Sequence, residues 1–133
     1  MDMTIEKLEA YRGLTSEMKA LSQQITSLYD TYRSPQLMNN GGHSMSASSP
    51  TESAVCKILK LEKIYRRKHE DAVDLLAEVE SWLSRVEDAE IRSICRHHYI
   101  LNKSWSQTSA IVCGHPSYYA ARKKIMRYFG REK

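Results

Sequence analysis

Seven apolar or aromatic residues, Tyr11, Leu14, Met18, Leu21, Ile25, Leu28 and Tyr32, recur at alternating intervals of three and four. An α-helix returns to the same side about every 3.6 residues, so this spacing puts all seven on one stripe of a helix over residues 4–33. A stripe sustained over three heptads loses free energy in water and requires a partner helix. Ile5 and Leu8 fall outside the register, which predicts different packing for the first turn. Gly13 costs about 1 kcal/mol relative to Ala inside a helix and does not end it.

The partner is legible further along. Thr51, Glu52 and Ser53 offer cap-type residues just after Pro50, and a second stripe follows from there to about residue 86. It consists of Ile58, Leu61, Tyr65, Ala72, Leu75, Val79, Trp82 and Val86, with Lys68 at the one position expected to be apolar. Val73, Leu76 and Leu83 widen it, which predicts more than one neighbour. Between the two helices, residues 34–50 read SPQLMNNGGHSMSASSP, with neither period nor charge pattern. That composition marks a flexible connection, longer than the roughly 2–8 residues that usually join helices. Two long amphipathic helices so joined make an antiparallel hairpin. Their stripes either form a bundle core alone or also supply a subunit interface.

Composition narrows the function. The chain has 133 residues with only 5 Gly and 3 Pro, and no GxGxxG or GxxxxGK[ST] run, so the ordinary nucleotide cradles are absent. No apolar stretch approaches the roughly 20 residues that span a bilayer. The start, MDMTIEKLEAYRG, is charged and periodic rather than a secretory leader. Cys56, Cys95 and Cys113 are odd in number and sparse, which fits a reducing cytoplasm better than a disulfide framework. Charge is distributed unevenly. Residues 88–133 hold nine Lys/Arg against three acids, a net of +6, whereas residues 1–87 hold eleven against thirteen, a net of −2. A cationic field so concentrated favours an anionic partner, nucleic acid first.

That basic third breaks into short pieces. Residues 90–100 place Ile91, Ile94, Cys95, His98 and Tyr99 along one side. Ser104 is an N-cap for SWSQTSAIVC, with Gln107 in the capping-box position and Trp105, Thr108, Ser109 and Val112 on one face. Gly114, His115 and Pro116 form a three-residue turn, with Pro116 suited to a first helical turn. The last helix is expected over residues 117–129 and stops at Gly130. Either Tyr118, Ala121, Ile125 and Phe129 face inward, or Tyr119, Met126 and Phe129 do; one tyrosine hydroxyl is exposed in both registers. Short helices, a Gly-containing turn and a basic terminal helix describe a helix-turn-helix.

The stretch over residues 99–129, with Ser104-Trp105, the turn ending at His115, Tyr118-Tyr119-x-x-Arg122-Lys123-Lys124 and Phe129, resembles the phage-encoded late-gene transcriptional activators of the RinA and ArpU kind. Those are similar to the fourth region of bacterial sigma factors. The resemblance covers the last 35 or so residues, and the hairpin only in outline. It implies promoter-region DNA binding and activation of late or packaging genes by an oligomer. Three positions depart from the family pattern: His115 stands where a Ser or Thr cap is usual, Thr108-Ser109 stands where Ile-Ala is usual, and the glycine is Gly114 rather than residue 113.

The expected fold is therefore all-α: a long antiparallel helical hairpin over residues 1–87, then a sigma region-4-like helix-turn-helix over residues 88–133. The expected function is a phage or prophage transcription regulator, an activator, binding double-stranded DNA as a homo-oligomer, a dimer first. The hairpin would serve self-association or contact with RNA polymerase. The rival reading is a packaging component such as a small terminase-like DNA-recognition subunit, or a helical adaptor that binds no DNA.

Arg122, Lys123, Lys124, Arg127 and Arg131 are the candidate DNA contacts, with Arg122 and Lys124 as base readers. Ser117 and Tyr118 add contacts near the helix start, and Lys103 and Arg96 could touch flanking phosphates. The bland alternative is a solvated basic helix end, which the helix dipole also favours. Trp105 reads as a core anchor rather than a base-stacking platform. Cys95, His98, Cys113 and His115 have zinc-type chemistry but no finger spacing, so core packing explains them better and neither metal nor cofactor is expected. No arrangement of nucleophile and base argues for an enzyme, and the charge-mixed run at residues 66–71 reads as a wet helix face.

Overall fold

The computed structural model describes residues 2–33 and 49–131. Among these the chain forms five helices and no strand. We label them α1 (Ile5–Arg33), α2 (Ser49–Leu83), α3 (Ala89–Ile94, running on as a π-helical stretch Cys95–Ile100), α4 (Trp105–Cys113) and α5 (Ala120–Tyr128). Most of the expected connection, residues 34–48, and the Tyr32 side chain lie outside the described residues. The cap-type residues 51–53 fall inside α2, which takes up at Ser49. Among the described residues no helix is long and apolar enough to cross a membrane.

Packing divides the chain into two units. Unit 1 comprises Met1–Ser16 with Ala72–Lys133, and unit 2 comprises Glu17–Asp71. In unit 2 the expected stripe positions Met18, Leu21, Ile25 and Leu28 of α1 are half-buried, as are Leu61 and Tyr65 of α2, while Ile58 is buried. Lys68, the polar interruption of the stripe, pairs with Glu17 at 3.4 Å. The Tyr29 hydroxyl donates to Glu62 at 3.0 Å.

Unit 1 holds the larger core. Met3 and Leu8 from the start of the chain, Val79, Leu83 and Val86, then Ile91, Ile94, Cys95 and Tyr99, meet Ala121 and Ile125 of α5. Leu8, which fell outside the heptad register, is fully buried, so the first turns of α1 pack against this cluster. Asp88 caps α3 by accepting from the Glu90 and Ile91 amides. The helix then widens: the Leu101 amide donates five residues back, to the Arg96 carbonyl at 2.8 Å. A π-helical turn takes more residues per revolution than an α-turn. His98 and Tyr99, adjacent in sequence, are both buried in this stretch.

The end of this stretch is held by a residue that no periodicity marks. Arg12 of α1 donates Nε–H to the His98 carbonyl at 2.9 Å, and Nη2 to the carbonyls of Asn102 and Lys103 at 3.4 and 3.3 Å. Helix-terminal carbonyls lack intrahelical partners, and a guanidinium fork satisfies several at once. Hydrogen bonds to a charged donor contribute roughly 1.5–3 kcal/mol each. Asn102 occupies the left-handed region at φ 62°, which Asn tolerates better than most residues, and its side-chain Nδ2 donates to the Thr15 hydroxyl at 3.1 Å.

His98 is stacked on Trp105 with ring centroids 3.6 Å apart, and its Nδ1 lies 2.7 Å from the Lys103 carbonyl. A carbonyl only accepts, so Nδ1 carries the proton. Burial first, and then the nearby Arg12 guanidinium, push the His98 pKa down to about 4 from its ordinary 6.5, against the opposing pull of the Lys103 carbonyl. The folded state therefore holds a neutral imidazole where the unfolded chain would take up a proton. This contribution is complete above pH 6.5 and is lost as pH falls towards 4. Urea unfolding should accordingly show stability falling by about 1–2 kcal/mol between about pH 7 and 5. His98→Asn, which keeps a donor for Lys103 but does not titrate, should be nearly flat over that window. A wild-type chain with no slope there, or a variant with an equal one, would contradict this assignment.

Candidate nucleic-acid interface

Two short helices carry the candidate residues, and hydroxyl groups set how they meet. α4 starts with the expected capping box: the Gln107 amide donates to Ser104 Oγ at 3.1 Å, and the Ser104 amide donates to Gln107 Oε1 at 3.0 Å. It ends at Gly114, whose φ of 88° lies in the left-handed region that favours glycine. Residues 114–119 then separate it from α5, six residues in place of the expected three. Within that connection the Ser117 Oγ accepts from the Tyr119 and Ala120 amides at 3.2 and 3.1 Å, as a capping side chain does, just before the helix takes up at Ala120.

The next amide of α5 is satisfied from the other helix. Ala121 N–H donates to Ser109 Oγ at 3.0 Å, in a fully buried contact between α4 and α5. This is one of the two positions where the sequence departs from an Ile-Ala pair, and it bonds the two helices directly. Its neighbour Thr108 is also fully buried, but its hydroxyl has no hydrogen-bond partner among the described residues.

α5 turns Ala121 and Ile125 inward, both fully buried, which matches the first of the two expected registers at those positions. Phe129 is half-buried and stacks on Trp82 with centroids 5.6 Å apart. Tyr118 does not join them. Both Tyr118 and Tyr119 precede the helix and are exposed, by 54% and 59%, so the expectation that one of them is buried is corrected. The helix closes as expected at Gly130, with φ 75°. There the Gly130 amide donates to the Arg127 carbonyl at 2.9 Å and the Arg131 amide to the Met126 carbonyl at 2.7 Å.

The cations divide by direction. Lys124 lies on a flank and pairs with Glu90 at 3.2 Å. Arg131, beyond the helix, pairs with Glu6. Arg122, half-buried on the other flank, has its guanidinium 6.0 Å from the Tyr118 ring centroid. The side opposite Ala121 and Ile125 presents Tyr119, Lys123 and Arg127, spaced four apart and all exposed. Lys123 and Arg127 make no ion pair among the described residues. Arg96 forks onto Glu80 at 2.7 and 3.0 Å, and Lys103 is half-buried with its carbonyl bound by Arg12 and His98. Ser117, expected as a DNA contact, spends its hydroxyl on the start of α5.

Trp105 packs against the core beside His98 and Tyr99, as the anchor reading expected. Cys95 is buried and its thiol is pushed up to about 12 by that burial, while Cys113 is half-buried and His115 exposed. Among the described residues no group of three or more His, Cys, Asp or Glu is placed to hold a metal ion. The contributions of Arg12 and Ser109 were missed from sequence. A small polar residue on the inward face of α4 was the available signal for Ser109; nothing comparable marked Arg12.

No family model matches the chain, no curated protein matches it, and no solved structure matches it.

The two buried hydroxyls of α4 should respond oppositely to removal. Ser109→Ala leaves the Ala121 amide unsatisfied and should lower stability by about 1–3 kcal/mol. Thr108→Val replaces an unpartnered hydroxyl with a methyl of similar shape and should be neutral or stabilising by up to about 1 kcal/mol. Denaturant midpoints of the two variants would check this, and the same sign for both would overturn the hydrogen-bond assignment.

Proposed function

We propose that this chain is a DNA-binding transcription regulator of the phage or prophage activator type, contacting double-stranded DNA through α5. The reading rests on the outward face of α5. Lys123 and Arg127 project, with Tyr119 just before them, from a helix whose opposite side is held by Ala121, Ile125 and the Ser109 hydrogen bond. A helix so held can enter a major groove with its cations towards base edges and phosphates. Arg122 and Lys124 flank that line and remain candidate contacts, with Tyr118, Lys103 and Arg131 at the margins.

The mutual packing of α3, α4 and α5 supports a helix-turn-helix. Its connection is longer than the tight turn expected, and Ser117 and Ser109 do the work of orienting α5 that a short turn would otherwise do. In unit 2, Glu17 meets Lys68 and the later Tyr29 meets the earlier Glu62, an order that supports an antiparallel hairpin. That hairpin would mediate self-association, with a dimer as the first expected state, or contact with RNA polymerase. The cytoplasm is the proposed compartment.

Enrichment of randomised duplex DNA on the purified chain at about 150 mM salt tests the reading, since nonspecific electrostatic retention weakens steeply with salt. A defined motif is expected, and it should disappear with Lys123→Gln plus Arg127→Gln. A second arm, Arg122→Ala plus Lys124→Ala, measures what the flanks contribute. Retention without any motif, removed by salt, would sink the proposal. Assembly into a ring of many copies, read by sedimentation, would favour the DNA-packaging role.

A further inference from the structure

A second block of positive charge lies in unit 2, on a different helix from the one just discussed. Over residues 57–68 of α2, six basic residues accompany a single acid, Glu62. Glu62 already accepts from the Tyr29 hydroxyl, and Lys68 already pairs with Glu17. Lys57, Lys60, Lys63 and Arg67 are all exposed, and none of them makes an ion pair among the described residues. At about 100° per residue, these four fall within roughly one third of the helix circumference, away from the side carrying Ile58, Leu61 and Tyr65. At 1.5 Å per residue the patch from Lys57 to Arg67 extends about 15 Å. Asp71, one turn past Arg67, closes it at one end.

We infer that this flank of α2 is a second, sequence-independent contact for the phosphate backbone of duplex DNA. The inference rests on the DNA-binding reading of the chain but not on α5 as the reading element. Four like charges within 15 Å repel one another, and a polyanion relieves that repulsion while releasing its own condensed counterions. An apolar protein partner is a poorer match. The flank exposes one large apolar side chain, Ile64, set among the cations; with Lys60, Lys63, Arg67, Lys68 and, at its end, Asp71 it lines an open groove. Long lysine and arginine stems can lie along such apolar surface while their charged ends reach phosphates. The contact adds affinity uniformly across sequences and leaves base preference to another element.

The test is the salt dependence of binding of the full chain to a mixed-sequence duplex of about 30 base pairs, where each neutralised phosphate contributes about 0.9 to the slope of log K against log salt. The variant replaces Lys57, Lys60, Lys63 and Arg67 together with Gln, which maintains helix propensity; circular dichroism verifies the fold. The slope should shrink in magnitude by about 3, for any duplex sequence, with the enriched motif unchanged. A slope within about one of wild type would overturn the inference while leaving the α5 reading intact. Should the α5 variant bind and discriminate normally while this one loses DNA, the α5 reading fails and this one holds. A chain that binds no duplex at all refutes both. A parallel arm with phosphatidylserine vesicles separates the other anionic surface: vesicle binding that the variant abolishes, with an unchanged DNA slope, would assign the flank to lipid and overturn the proposal.

Discussion

The guanidinium of Arg12 sets the geometry on which the candidate interface depends. It reaches three carbonyls where the π-helical stretch ends, those of His98, Asn102 and Lys103. These carbonyls are part-buried, and a lysine could not span them with one ammonium. His98 adds a donor to the Lys103 carbonyl, and Asn102 ties the same segment to Thr15. With residues 101–103 so fixed, Ser104 stands where it can cap α4. Ser109 on α4 then supplies the acceptor for the α5 amide of Ala121. A series of polar contacts thus runs from α1 to α5, beside the apolar burial of Ala121 and Ile125.

Charge alone was an incomplete guide to the interface. Lys124 and Arg131 have acidic partners within unit 1, Glu90 and Glu6. Both pairs are substantially exposed, and exposed pairs are worth about 0–1 kcal/mol, so a phosphate could displace either acid at little cost. Lys123 and Arg127 have no such competitor among the described residues. In the proposed complex Lys123 and Arg127 give up no acidic partner among the described residues, whereas Lys124 and Arg131 each give up one. This difference assigns different weights to residues that look equivalent in the sequence.

Periodicity and capping were legible because each is written in a few residues at fixed spacing. The stripe from Tyr11 to Leu28 is the least exposed line of its helix, the Ser104–Gln107 box forms as its spacing demands, and Gly130 closes α5. What stayed hidden depends on contacts between residues distant in the chain. Arg12 sits among other charged residues of an amphipathic helix, and its partners lie about ninety positions away. The π-helical turn escapes a reading built on a 3.6-residue period, although that reading placed both His98 and Tyr99, which are buried, along one side. Ser117 looked like a helix residue, but it precedes α5 and its hydroxyl accepts from the Tyr119 and Ala120 amides, and both neighbouring tyrosines are exposed. Thr108-Ser109 stands where the resembled family has Ile-Ala, and Ser109 bonds α4 directly to α5.

The central claim is that the outward face of α5 meets duplex DNA. The most direct measurement is backbone-amide chemical-shift mapping of the full chain on titration with an enriched duplex. The account predicts the largest changes at Tyr119, Lys123 and Arg127, with smaller ones at Arg122 and Lys124 and little at buried Ile94 and Leu83. Changes confined to other helices, with α5 unmoved at saturating duplex, would contradict it.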